Sequence, residues 1–461
     1  MIDRPELRPL SHYDDGNMQN SKSRLTKVSS SVSETLFTSF DASGNVLGSQ
    51  QHFINGQTYG LSYTYNLNND LLTQTYPSNK VVRYEYDETG DLSRVKRNFS
   101  VNYAQSLKYT ASGEIEQLRF GNNRWETTQF NSRRQVKEIG VGYSAGDTGI
   151  WKANYEYGTW QDTTLNPQKN NGSLARQTIL VPTLNNVNGF TAIQTYAYDP
   201  LDRLKSATET TNGSQTWKQT FNYDRFGNKN YDNSNTTTLG SCVVAVCNPT
   251  PLGNNHLSGY GYDNAGNITS DAEGRTFTYD AENRQVSASG SNLSMSYAYD
   301  GNGKRVKTHD SINNQTTYFI YDAEGKLATE YTVNVPPPEF PTISYLTNDA
   351  LGSPRVITNA YGELKARRDF FPFGEEISIG VGSRSTDQKY FSDSDDTRVK
   401  FATYQRDAET KLDFALSRYY SPMHGRFTSP DEFKGGPDEL FDFADDASGN
   451  PTVNLPFLAP V

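Results

Sequence analysis

The sequence holds four groupings whose residue types could do chemistry. Gly142-Tyr143-Ser144-Ala145-Gly146 has the G-x-S-x-G spacing of a serine nucleophile elbow, which requires a strand before the serine and a helix after it. The following Asp147-Thr148-Gly149-Ile150-Trp151 and the alternating tyrosines beyond it read as turn and strand, so a hairpin loop is expected. Ser392-Asp393-Ser394-Asp395-Asp396 is acidic like a calcium loop, but it lacks the central Gly and the distal Glu, and it reads as a solvated loop. Cys242 and Cys247 are too few for a metal site or a disulfide framework. They are read as plain thiols, with a local loop-closing disulfide as the alternative in an oxidising compartment. The histidines, His12, His52, His256, His309 and His424, show no paired ligand spacing, so no metal and no cofactor is expected.

The chain has 461 residues and a formal net charge of -10. Its acidic residues are interspersed, and without clustered Lys and Arg it lacks the basic patch that phosphate backbones require, which argues against nucleic acid. No apolar run approaches the length of a membrane span, and the N-terminus has no apolar signal core. Hydrophobic residues make up only 34 %, yet the chain has 30 Tyr, 23 Phe and 4 Trp. Aromatic side chains bury large areas and favour pleated, half-buried surfaces, so the composition points to a folded β-protein.

Those aromatics recur in a pattern. Tyr86-Asp87-Glu88-Thr89-Gly90 returns as Tyr262-Asp263-Asn264-Ala265-Gly266, as Tyr299-Asp300-Gly301-Asn302-Gly303 and as Tyr321-Asp322-Ala323-Glu324-Gly325. Weaker copies begin at Phe40, Tyr65, Tyr109, Phe130, Tyr198, Tyr223 and Tyr279, at an elastic period of about 20 residues. The Asp can accept hydrogen bonds from the backbone two residues on, and the Gly three residues later supplies the positive φ of a type I turn with a bulge. Before the turn, tyrosines alternate, as in Ser62-Tyr63-Thr64-Tyr65 and Tyr84-Glu85-Tyr86, which puts both rings on one sheet face.

These Tyr-Asp-x-x-Gly units resemble the YD repeats of the RHS family, which includes bacterial polymorphic toxins, Tc-like toxins and the teneurins. The resemblance covers residues of about 36 to 433. It implies an all-β fold, a wound antiparallel β-hairpin sheet forming an incomplete RHS/YD-repeat shell. Beyond a proline break at Val335–Pro341 come Asn348-Asp349-Ala350-Leu351-Gly352-Ser353-Pro354-Arg355, Phe371-Pro372-Phe373-Gly374-Glu375 and Arg418-Tyr419-Tyr420 through Gly425-Arg426-Phe427 to Asp431. This run resembles the RHS repeat-associated core, in which toxin members carry an aspartic autoprotease. Residue by residue, the resemblance assigns Arg418 to the family's Arg-Tyr-Tyr arginine and Asp431 to its first catalytic aspartate. The second aspartate belongs to an Asp-Pro-x-Gly motif that does not occur after Asp431, and Asp438, Asp442, Asp445 and Asp446 do not sit in such a motif. Acid proteolysis divides its work between two carboxylates, so Arg418 and Asp431 are expected to be inactive remnants that pair and pin the end of the sheet. Lys411 stands where the family usually has a turn Gly, which predicts strain in that turn or a slight shift of it.

The organisation expected is therefore a YD-repeat sheet over 1–334, with surface insertions near 142–189 and 230–255, an RHS repeat-associated core over 343–433, and a truncated tail over 434–461. If about 60 % of the chain were strand at ~3.3 Å per residue and ~4.8 Å between strands, it would tile roughly 4,400 Å² and enclose a void of only about 3,000 Å³. That is too small for a folded toxin domain, so the chain is expected to be part of a longer shell or an open sheet. The function expected is a non-catalytic shell fragment of a secreted or cell-surface bacterial protein, whose partners are the remainder of the shell or a toxin domain. The competing reading is an adhesion module that stacks exposed aromatic faces on cell-surface glycans.

Overall fold

The computed structural model describes residues 10–431 apart from 55, 99–100, 162, 241, 335–342, 393–394 and 396, together with the backbone of two short strands, Asp442–Asp445 and Pro451–Asn454. Among the described residues helix is confined to one turn at Val244–Cys247 and two 3-10 turns. Most of the rest is antiparallel sheet and its turns, with a long loop stretch between the strands Leu364–Arg367 and Gln405–Arg406. An 18-stranded sheet runs from Leu10–Tyr13 to Lys229–Tyr231, and an 8-stranded sheet runs from Gly261–Tyr262 to Leu327–Val333. Each strand pairs with the next in sequence.

The Tyr-Asp-x-x-Gly unit explains why. At Asp87 the side chain accepts from the amides of Thr89 and Asp91 at 2.9 and 3.0 Å, the Gly90 amide returns to the Asp87 carbonyl, and Gly90 holds φ +91°. The pairing register shifts at Tyr86, the bulge that lets five residues turn between strands. The same geometry recurs at Asp263, Asp300 and Asp322, while Asn69 and Asn283 fill the glycine position at φ +68° and +59°.

The tyrosine has a second role that periodicity did not reveal. Its hydroxyl donates to the carbonyl of the first strand residue after the preceding turn. Tyr86 reaches Leu71, Tyr109 reaches Leu92, Tyr223 reaches Leu204, Tyr299 reaches Gln285 and Tyr321 reaches Arg305, all at 2.7 to 2.9 Å. Each hairpin is thereby stapled to the one before it.

The two sheets meet face to face at one end, where Phe53, Tyr59 and Tyr63 pack with Val306 and Ile320, and Tyr59 stacks on Tyr331 at 4.8 Å. Residues 343–431 lie against the buried faces of both sheets. Val356 and Tyr390 join Trp151, Ile179 and Val181; Phe373 and Ile377 join Trp217 and Phe221; Leu412, Phe414 and Tyr419 join Phe277 and Tyr297.

Several expectations change. The segment 142–189 is not a surface insertion: its strands Trp151–Tyr157 and Leu174–Val181 lie within the large sheet and bury Trp151, Ala153 and Ile179 completely. Only a small hairpin, Thr159–Gln161 with Thr164–Asn166, leaves that sheet. The repeat region expected as one sheet over 1–334 is two, with the loop after Tyr231 between them. Cys242 and Cys247 are joined in a disulfide rather than being plain thiols, because the helical turn between them brings their Cα atoms to 6.3 Å. Val335–Pro341 and the side chains of the tail lie outside the described residues.

Candidate functional site

Arg418 opens the short strand Arg418–Ser421, which pairs with Asp413–Ala415 on one side and Arg426–Phe427 on the other. That pairing turns its guanidinium over the Phe427 ring at 4.0 Å and brings Nη2 to 3.0 Å from Asp431. The two residues assigned from the family motif therefore do meet. Asp431 is 69 % exposed along its side chain, and the pair borders an open pocket of about 750 Å³ formed with the turns Ala281–Arg284 and Gly301–Gly303. The other carboxyl lining that pocket, Glu282, is held by Arg284 at 2.7 Å. A carboxylate bound to a guanidinium can tie the segment at Asp431 to the strand Arg418–Ser421.

Lys411 adopts φ +60°, the left-handed backbone expected from the glycine it replaces, and its amide donates to the Asp407 carbonyl at 2.9 Å. The serine of Gly142–Gly146 lies in the loop joining strands Val136–Gly142 and Trp151–Tyr157, a hairpin and not an elbow. Asp395 of the acidic run binds the Arg368 guanidinium at 2.6 Å, and no cluster of three metal-ligating side chains occurs among the described residues.

The strongest electrostatics lie where the C-terminal segment meets the sheets, at residues the sequence did not single out. Arg384, fully buried, grips both oxygens of buried Glu209 at 2.8 and 2.7 Å and gives its Nε to Asp369 at 2.7 Å. Asp369 also accepts from Arg355 and from the Tyr390 hydroxyl. Burial alone would raise its carboxyl, but Arg384 and Arg355 outweigh that and hold it below the usual range. A second buried clamp joins Arg305 of the small sheet to Asp407 at 2.6 Å, with Tyr419 donating to the same oxygen at 2.8 Å. Nearby, Lys229 sits among the rings of Tyr231 and Phe373 at 4.4 and 4.2 Å, and burial pulls its amine down to about 7, opposed by Glu375.

Comparison with known proteins decides what this architecture is. Residues 65–98, which contain the Tyr86 unit, match the RHS Repeat family model. The fold matches the TcdB2-TccC3 crystal structure over 92 % of this chain and 24 % of that one, with a TM-score of 0.63 at 15 % identity. The chain carries an RHS repeat within the fold of that structure. The same RHS fold appears in the Photorhabdus luminescens Tc holotoxin pore, at a TM-score of 0.61 and 16 % identity over 91 % of this chain and 23 % of that one. Two sequence relatives are bacterial: the tRNA3(Ser)-specific nuclease WapA of Bacillus spizizenii, 26 % identical over 263 residues, and the tRNA nuclease WapA of Bacillus subtilis strain 168, 27 % identical over 260. Each alignment takes in 51 % of this chain and 10 % of the relative, so the chain spans about a tenth of the length of the curated relatives it matches.

Proposed function

We propose that this chain is a non-catalytic wall of a toxin-associated RHS shell, secreted or displayed at a bacterial surface, with the rest of a shell or a toxin domain as its partner. The observation that carries the reading is the Arg418–Asp431 pair, an ion pair 3.0 Å long at the mouth of an open pocket whose other carboxyl is bound elsewhere. It suits a strut that holds the segment at Asp431 against the turns of the small sheet. Also in support, the buried faces that a hollow shell would turn toward cargo are covered over much of their area by residues 343–431. The shell piece thus supplies wall, and any enclosed volume depends on further repeats.

Intact mass spectrometry of the purified chain, incubated for days between pH 4 and 8, tests the non-catalytic part. The expected result is an unchanged mass for the wild type and for Asp431→Asn. A fragment that appears in the wild type and is lost in Asp431→Asn would overturn it.

A further inference from the structure

The disulfide in the loop between the two sheets closes around the helical turn Val244–Cys247. That turn has no side-chain cap at its start, and within it the Cys247 amide donates to the Val243 carbonyl at 3.1 Å. A single helical turn fixes several backbone dihedrals for each hydrogen bond it gains and does not persist unaided, so the Cys242–Cys247 bond is what keeps it wound.

The wound turn holds two other parts of the molecule. Asn248, buried directly after it, places its amide on the Val244 carbonyl at 2.8 Å. Its side chain accepts from the Tyr231 amide at 2.7 Å and donates to the Tyr231 carbonyl at 2.9 Å. Among the described residues, Lys229–Tyr231 pairs only with Ser214–Tyr223, so Asn248 covers the outer edge of the last strand of the large sheet as a further strand would. From the turn itself, the Val246 carbonyl accepts from His424 Nε2 at 2.8 Å. His424 in turn meets the Ser421 hydroxyl through Nδ1 at 2.7 Å, which carries the tie into the strand Arg418–Ser421.

The two sulfurs differ in access, since Cys242 is exposed and Cys247 is buried. Exposed disulfides are the ones that exchange with thiols. We propose that Cys242 is a thiol-exchange site and that its bond to Cys247 is a reductive latch on the edge of the large sheet and on the C-terminal segment. The thiolate of a small thiol attacks Cys242 Sγ, and the S–S bonding pair leaves on Cys247 Sγ, which takes a proton from solvent. A second thiolate attacks the mixed disulfide, which frees the Cys242 thiol and joins the two small thiols as a disulfide. The turn then unwinds, and the Asn248 cap and the Val246–His424 tie are released. Such a latch stays closed outside a cell and opens in a reducing cytosol. It goes beyond the wall function and does not depend on the Arg418–Asp431 pair.

Hydrogen exchange with mass spectrometry on the full chain, before and after addition of reduced glutathione at neutral pH, tests it. Thiol alkylation should find both cysteines free after the addition. Loss of one hydrogen bond opens an amide about tenfold more often, so peptides holding Tyr231 and Val244–Asn248 should exchange about tenfold faster. The strand Val81–Tyr86, remote in the large sheet, should keep its rate. Cys242→Ser combined with Cys247→Ser should reproduce the fast exchange with no thiol present. A disulfide that glutathione leaves closed, or an opened one with Tyr231 exchange unchanged, would overturn the proposal. Val81–Tyr86 accelerating as much as Tyr231 would overturn it too, because reduction would then loosen the whole fold and not a latch.

Discussion

Arg418 and Asp431 could be paired from sequence because they sit in a long, specific run; Arg384 and Arg305 could not. Arg305, opening a strand, and Arg384, in a loop, both read as solvated, and only the lodging of residues 343–431 on the buried faces makes them clamps. Lys411 was legible as a strained position, and its φ of +60° yields a test: Lys411→Gly should raise stability by about 0.5–1 kcal/mol, read from the denaturant midpoint, and a loss would contradict it. Glu126 gives another. It lies on the large sheet against Thr347, one carboxyl oxygen enclosed and unpartnered, and burial pushes it up to about 7 while Thr347 opposes. With the folded value raised, the stability it contributes is present below the unfolded carboxylate range and lost as pH rises through 7. Melting curves should therefore show the wild type weakening between pH 5 and 8 and Glu126→Gln holding, with the variant ahead by about 1–2 kcal/mol at pH 8.

Hairpins were the most legible level, since the Asp and Gly of each turn lie within five residues of one another and act locally. The tyrosine staple was not, because its acceptor is a backbone carbonyl 14 to 19 residues back in the closest-spaced examples. Tyr223→Phe should cost about 0.5–1.5 kcal/mol by removing the bond to Leu204, although the ring still packs. At the turn, Gly90 has open space where a Cβ would stand, so the cost of substitution is conformational alone. Gly90→Ala should lose about 1 kcal/mol at φ +91°, and Gly90→Asn clearly less, since Asn69 and Asn283 already fill that position. Equal losses would contradict this account of the turn. Of the strands in 142–189, the tyrosine-alternating Trp151–Tyr157 was read but not its place in the large sheet, because its connections lack the Tyr-Asp-x-x-Gly signal, and Leu174–Val181 went unread even though it alternates buried and part-buried along its length.

At the scale of the whole molecule, the two sheets and residues 343–431 act as one body only if the buried clamps hold them together. Removing Arg384 leaves Glu209 enclosed without its charged partner, which should cost about 3–5 kcal/mol, whereas exposed pairs such as Lys326–Glu324 should cost under about 1 kcal/mol. The split of the repeats into two sheets was not legible, since the sequence marked 230–255 as an insertion but not that the strands on either side of it belong to separate sheets. Hydrogen exchange followed by mass spectrometry, on the wild type and Arg384→Met, examines this unity directly. Strands Trp151–Tyr157, Leu204–Thr211 and Pro354–Asn359 should be protected together in the wild type and lose protection together in the variant. Exchange of Pro354–Asn359 at its own rate, with the wall strands unmoved by the substitution, would contradict a single wall locked by its C-terminal segment.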